Sequence, residues 1–253
     1  MQALSLLAVL ILTAALIAAL VTFRFLLYPI LPNLNPLKTA TRLNLKGNSL
    51  FISDLHLRAG RPFSYSAAFH ELLRQRRVSN LIVDGDLFDS PRDARKILDQ
   101  AASPSIGNIL GLDNLPVKVF FVDGSPPHDP SPKERAIFDG SPLVPVGRCA
   151  ILSFNGMRVV AYHGHDLSLK GAIGHGWDRF ISKLSLERAW KRVAGVPAQD
   201  WVIFGHTHIP GIDAKQRVAN CGGWQSKGFL VHPARTGIYL SPETDSLEVV
   251  KFE

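Results

Sequence analysis

A chain of 253 residues, 46% hydrophobic and 19% charged, is long and apolar enough to bury a core without covalent staples. That excludes a disordered chain and a small cross-linked scaffold, and two cysteines, Cys149 and Cys221, exclude a cysteine-based zinc finger. The formal charge of +7 points to anionic partners: phosphates, nucleic acid or acidic lipid.

In chain order, the first element is an uncharged stretch of about 21 residues from Ala3 to Phe23, long enough to cross a hydrocarbon layer. Only Met1 and Gln2 precede it, so a signal peptide's basic lead is missing, and residues 1–28 read as an uncleaved membrane anchor. Arg24, Lys38, Arg42 and Lys46 follow with no acidic residue before Asp54. This excess places the bulk of a single-pass chain in the cytoplasm. Residues 29–46, with Pro29, Pro32 and Pro36, read as a stiff basic tether, and 47–253 as the folded domain.

Within that domain, short apolar runs end abruptly at Asp, His or Gly. Ser49–Ser53 stops at Asp54, Leu81–Val83 at Asp84-Gly85-Asp86, and Val117–Val122 at Asp123-Gly124. Val159–Tyr162 stops at His163, and Trp201–Phe204 at Gly205-His206. Runs apolar on both faces read as buried strands, and Ala67–Arg77 and Asp93–Gln100 as intervening helices. In such α/β sheets ligands bind beyond the carboxyl ends of strands, so these scattered polar residues are expected to converge. Asp54 and His56, spaced by two, are expected on one side of an extended segment, and His206 and His208 repeat the arrangement. With Asp86 and His163 they make six oxygen and nitrogen donors without sulfur, a set suited to two divalent ions of Mn, Fe or Zn type. Such a pair can clamp the entering and leaving oxygens of an in-line displacement at phosphorus.

These blocks resemble the calcineurin-like metallophosphoesterases: Asp54-Leu55-His56, Gly85-Asp86, His163-Gly164-His165 and Gly205-His206-Thr207-His208 follow the family's order from about Phe51 to Pro210. The resemblance implies an α/β fold, a two-sheet β-sandwich flanked by helices, here after an N-terminal transmembrane helix. It also implies that Asp54, His56 and His208 hold one metal, that His163 and His206 hold the other, and that Asp86 bridges them. The third block departs from the family's G-N-H-D. This chain has Gly124-Ser125-Pro126-Pro127-His128-Asp129, so the ligating asparagine is absent. By resemblance His128 lies over the scissile phosphate and Asp129 orients it, while Ser125, Asp123 or water completes the second metal. Phe51-Ile-Ser-Asp-Leu-His-Leu and Gly85-Asp-Leu-Phe are closest in kind to the UDP-2,3-diacylglucosamine pyrophosphatase branch.

Five of nine histidines, His56, His128, His163, His206 and His208, fall at the family's motif positions, whereas His70, His175 and His232 read as ordinary polar residues. Asp89 reads as a cap for the helix announced by Ser90-Pro91, and Asn220-Cys221-Gly222-Gly223 as a turn. Residues 167–200 mix Lys170, Arg179, Lys183, Arg188, Lys191 and Arg192 with apolar positions at helical spacing. They read either as a surface helix or as a basic lid, with Arg179 and Lys183, like Ser125, as substrate contacts. The expected activity is a membrane-anchored metal-dependent phosphoesterase acting on a phosphoester or pyrophosphate, lipid-linked or nucleotide-diphosphate in kind. The alternatives are a nuclease or cyclic-nucleotide phosphodiesterase, with nucleic acid the less favoured partner, and a catalytically degenerate tethered scaffold.

Overall fold

The computed structural model describes residues 36–99, 105–112, 114–130, 132–165, 182–224, 234–244 and 246–252, with isolated positions at 12, 13, 15, 18, 176 and 179. Most of the expected anchor, the first half of the tether, His175 and His232 lie outside these residues. Among the described residues no helix is long and apolar enough to cross a membrane.

Two mixed six-stranded sheets form the domain. The first contains, in spatial order, β1 (Thr41–Asn44), β6 (Ala150–Phe154), β7 (Met157–Ala161), β8 (Trp201–Phe204), β10 (Val218–Asn220) and β9 (Gly211–Asp213). The second runs β12 (Ser246–Lys251), β11 (Thr236–Ser241), β2 (Asn48–Ile52), β3 (Val78–Asp84), β4 (Lys118–Val122) and β5 (Leu143–Gly147). The central strands β2, β3 and β4 pair in parallel, as do β7, β8 and β10.

The layers explain why the central strands are apolar on both faces. Alternate residues Phe51, Ile82, Phe120 and Val122 meet Leu152, Val159, Ile203 and Ala219 between the sheets. Their neighbours Leu50, Ile52, Leu81, Val83 and Phe121 turn outward onto Phe69 and Leu73 of α1 (Ser66–Gln75) and Ala94 and Ile97 of α2 (Pro91–Leu98). On the opposite outer face Ile151, Val160 and Val202 pack on Trp190 of a helix at Ser185–Val193. A short turn of helix, α3 (Ile106–Ile109), precedes β4, so the Ser185–Val193 helix is α4.

Three expectations change. The tether does not extend to residue 46: Pro36–Thr39 is a 3-10 turn, and β1 pairs in parallel with β6, Thr41 against Ala150 and Asn44 against Ser153. Thr41-Arg-Leu-Asn alternates in exposure as an edge strand does, and Leu43 packs on the core between the sheets. Asp89 does not cap α2. Ser90 does, accepting the Asp93 amide at 3.2 Å with Pro91 in the first turn, while Asp89 pairs with Arg58 at 2.9 Å. Within 167–200, α4 lies on the core rather than over an opening: Trp190 stacks on Tyr162 at 4.6 Å, and the Lys191 Nζ is buried, donating to the carbonyls of Asp200 and Gln216 at 2.6 and 2.8 Å.

Candidate metal centre

The parallel strands of both sheets deliver their carboxyl ends to one edge. Ser53-Asp54-Leu55-His56 leaves β2, Gly85-Asp86 leaves β3 and Asp123–Asp129 leaves β4; His163 follows β7, and Gly205–His208 follows β8. The two sheets are tied there directly. The His206 amide, after β8 of one sheet, donates to Asp54 Oδ2, after β2 of the other, at 2.9 Å, while within the first sheet Gly205 donates its amide to the His163 carbonyl at 3.3 Å.

The six expected donors fall into two groups, each with its members within 4.8 Å of one another: Asp54, His56 and His208, and Asp86, His163 and His206; a third such group, His56, Asp89 and His128, shares His56 with the first. His208 Nε2 lies 3.0 Å and His56 Nε2 3.9 Å from Asp54 Oδ1; His163 Nε2 lies 3.3 Å from Asp86 Oδ1. The groups adjoin, because the His206 amide of one donates to Asp54 Oδ2 of the other at 2.9 Å, and His128 stands between them, its Nε2 3.9 Å from Asp86 Oδ2 and its ring 4.5 Å from that of His56.

The convergence is not that of an extended segment. Asp54, His56, Asp86, His206 and His208 have φ of 56, 48, 49, 62 and 60°, in the left-handed region that non-glycine residues occupy sparingly. Each bends its loop sharply, which turns both polar side chains of a D-x-H or H-x-H pair inward. Residues so placed cost of order 1–3 kcal/mol each and persist where the surroundings over-determine them. Here the main chain does so, with Asp54 N bonded to Gly85 O and His56 N to Asp86 O, each at 3.1 Å.

The electrostatics fit a divalent cation. Burial raises the Asp54 carboxyl, but the His208 and His163 charges overcome it and hold it well below the usual carboxylate range. Asp86 behaves alike, with His163 overriding burial. Burial disfavours the His163 imidazolium, yet Asp86 and Asp54 outweigh it and raise that group to about 10. His206, buried beside His163, is pushed down to about 3. Two buried carboxylates thus make a field that favours positive charge, while a neutral imidazole stands ready as a ligand. The buried Asp54 Oδ1 and His163 Nε2 face other members of the donor groups, His208 Nε2 at 3.0 Å and Asp86 Oδ1 at 3.3 Å, as befits atoms gathered for coordination.

The departed third block still reaches this edge. The Ser125 amide and Oγ donate to Asp86 Oδ1 at 2.7 and 2.6 Å, so Ser125 orients the Asp86 carboxylate. His128 Nε2 is 3.9 Å from Asp86 Oδ2, and its ring meets His56 edge-on at 4.5 Å. Its Nδ1 is held by the Asp89 carbonyl at 2.9 Å, the place the resemblance gave to Asp129. Asp129 is buried and instead accepts backbone amides, Asp86 and Gly124 at 2.7 and 2.9 Å and Phe88 at 3.3 Å. Arg179 is exposed, and Lys183 lies over Gly211, where a β-carbon would meet its Nζ at 2.9 Å. Of the ordinary histidines, His70 bonds the Gly111 carbonyl at 2.8 Å.

The Calcineurin-like phosphoesterase superfamily domain matches residues 48–240. The chain belongs to that superfamily. It is a metal-dependent phosphoesterase, a hydrolase of phosphoester substrates that uses divalent metal. No curated protein sequence matches it. Solved structures similar to this phosphoesterase include zinc-complexed wild-type Vps29 from Entamoeba histolytica, at 15% identity and TM-score 0.46 over 80% of this chain and 97% of that one. Another is the phosphoesterase Yfce from E. coli, at 18% identity and TM-score 0.45 over 81% of this chain and all (100%) of that one. A third is an archaeal phosphodiesterase, at 14% identity and TM-score 0.43 over 80% and 98%.

The phosphoesterase's centre has a brace that residue patterns did not announce. Glu187 of α4 is fully buried, and its Oε1 accepts from Thr207 Oγ1 at 3.1 Å and Asn220 Nδ2 at 2.9 Å. Asn220 also donates to the Gly205 carbonyl at 2.7 Å, so the Gly-His-Thr-His loop is gripped from behind. The available signal was an acid beside Leu186 and Trp190 on the core-facing stripe of an amphipathic helix.

Proposed function

We propose that this phosphoesterase is dinuclear, with Asp54, His56 and His208 holding one divalent ion, His163 and His206 holding a second, and Asp86 reaching both. The observation that carries this reading is the pair of adjoining donor groups on one edge, with Asp86 Oδ1 at His163 and Oδ2 facing His128. When bound, divalent cations polarise the phosphoryl oxygens and lower the pKa of an attacking water. Ser125 and Asp129 keep the Asp86 carboxylate in place, one at its oxygen and the other at its amide. The His128 Nε2 faces the centre while the Asp89 carbonyl fixes the ring, a placement from which a protonated imidazole donates to the leaving oxygen.

The substrate we propose is a phosphoester or pyrophosphate of a lipid-linked or nucleotide-diphosphate molecule, met at the cytoplasmic face of a membrane by a chain anchored through residues 1–28. The apolar stretch from Ala3 to Phe23, the basic residues after it and the resemblance of the first two blocks to the UDP-2,3-diacylglucosamine branch support this. The test uses the purified full chain with Mn(II). It is expected to hold two metal ions and to turn over bis-p-nitrophenyl phosphate, to lose that turnover in Asp86→Ala and His206→Ala, and to prefer diphosphate lipids over single-stranded DNA. Undiminished turnover in either variant refutes the ligand assignment; preference for DNA refutes the substrate class.

A further inference from the structure

Beside the metal centre lies a second concavity of about 340 Å³ that the reaction does not use. Arg58, Arg61, Phe63, Tyr65, Trp224 and Arg235 dominate its walls, and no carboxylate is among the described residues that line it. Arg58 is neutralised by Asp89, but no carboxylate pairs with Arg61 or Arg235 among the described residues. The Arg235 guanidinium lies over the Tyr65 ring, 4.9 Å from its centroid, and its buried Nε makes no hydrogen bond. Trp224 is only 4% exposed, and its indole Nε1 likewise makes none. Ser64 and Tyr65 of the same wall lead into α1, whose first turn has no side-chain cap.

Each of these features is a donor without an acceptor. A buried indole N–H left unbonded costs about 1–3 kcal/mol, and the Arg61 and Arg235 guanidinium groups, the latter held against an aromatic ring, attract anions. A helix start without a side-chain cap adds a positive dipole end. The cavity is joined to the metal centre on two sides. Leu55 sits between Asp54 and His56, and the Trp224 amide donates to the Asp54 carbonyl at 3.2 Å. On the other side the Arg58 partner, Asp89, supplies the carbonyl that fixes His128.

We propose that this cavity receives a second anionic group of the substrate, a phosphate or carboxylate carried away from the phosphorus under attack. The proposal rests on the metal centre being the place of attack. The enzyme therefore discriminates in favour of phosphodiesters that bear a further negative charge at a distance, with Arg61 and Arg235 as specificity-determining residues. The volume lies at the small end of ligand sites, about 300–1,000 Å³, enough for an anion and a short carrier but not for acyl chains.

The experiment compares thymidine 5′-(p-nitrophenyl phosphate) with the same ester carrying a 3′-phosphate, and with one carrying a 3′-succinyl carboxylate, using the full chain in Mn(II). The 3′-phosphorylated ester is expected to show a kcat/KM about tenfold or more above the plain ester, the scale of one charged hydrogen bond. A gain confined to the 3′-phosphate names phosphate as the anion, and a gain shared by the succinyl ester names carboxylate as well. The advantage should fall towards unity in Arg61→Met and in Arg235→Met, and survive in part in Arg235→Lys. Arg61 is exposed, so its replacement leaves folding intact. Calorimetry without added metal reads the cavity independently of turnover: thymidine 3′,5′-bisphosphate should bind about tenfold tighter than the 5′-monophosphate, and only in proteins that retain both arginines. Equal treatment of plain and charged ligands by the wild type, or an advantage that survives both Met variants, overturns the proposal. Loss of all phosphodiester turnover with the calorimetric difference intact instead condemns the reading of the metal centre.

Discussion

Replacing Asp129 by Ala should damage the centre without replacing a proposed metal ligand. Its Oδ2 accepts the Asp86 and Gly124 amides at 2.7 and 2.9 Å, and its Oδ1 the Phe88 amide at 3.3 Å, all buried. Stripping the acceptor from the two short bonds costs about 1–3 kcal/mol each, or about 2–6 kcal/mol together. Relief offsets part of this, because burial and the adjacent Asp86 charge push the Asp129 carboxyl well above the usual carboxylate range, which means its confinement is itself unfavourable. A net loss of about 2–4 kcal/mol is expected. Asp129→Asn keeps one oxygen for the two short bonds and should lose about 1 kcal/mol. Guanidinium unfolding of EDTA-treated protein measures both. Mn(II) titration should show Asp129→Ala weakened further than its stability alone suggests, because Asp86, at φ 49°, relaxes once its amide is released. If Asp129→Ala unfolds within about 1 kcal/mol of wild type and binds Mn(II) normally, the role assigned to Asp129 is wrong.

Gly205→Ala would set a β-carbon 2.5 Å from Ser53 Oγ and 2.8 Å from Asp54 Oδ2. Such overpacking should lower stability by about 1–3 kcal/mol and displace Asp54, which thermal melts with and without Mn(II) would register as a smaller metal-induced rise in Tm. A normal rise would show that Ser53 yields without moving the ligand. Asp84 is fully buried, neither carboxylate oxygen is hydrogen-bonded, and burial raises it from 3.8 to about 8. The folded state therefore binds more protons than the unfolded chain between those values, so this group removes stability as pH rises from about 4 to about 8. In metal-free protein Asp84→Asn should flatten that decline by up to about 1.4 kcal/mol per pH unit. Parallel wild-type and variant unfolding profiles from pH 5 to pH 8 would contradict the assignment.

The strands around the site were legible because each is buried on two faces. Leu81 and Val83 face helices while Ile82 faces the other sheet, which leaves an uninterrupted apolar run. The edge strand Thr41–Asn44 was not, since only Leu43 of its four residues is apolar and it follows three prolines. The six donors and their meeting at strand ends followed from residue type and position, but the bend that aims them did not. Alternation suggests an extended D-x-H, whereas positive φ at Asp54 and His56 is imposed by main-chain partners some thirty residues away, Gly85 and Asp86. Ser125 illustrates the same limit. Its absence from the family pattern was visible, but its hydrogen bond to Asp86 depends on how the Pro126-Pro127 loop folds back. Glu187 needed the packing of α4 to declare itself.

The strand that carries Asp54 and His56 to the site has one edge against β3 and the other against β11, residues 236–241. During synthesis that second edge stays bare until nearly the whole domain has left the ribosome, long after the last donor, His208, has been made. On the ligand assignment proposed above, the scaffold that gathers the donors is therefore completed only after all of them have been made. A chain ending just short of Thr236 would carry all six proposed donor residues without the strand that completes their scaffold.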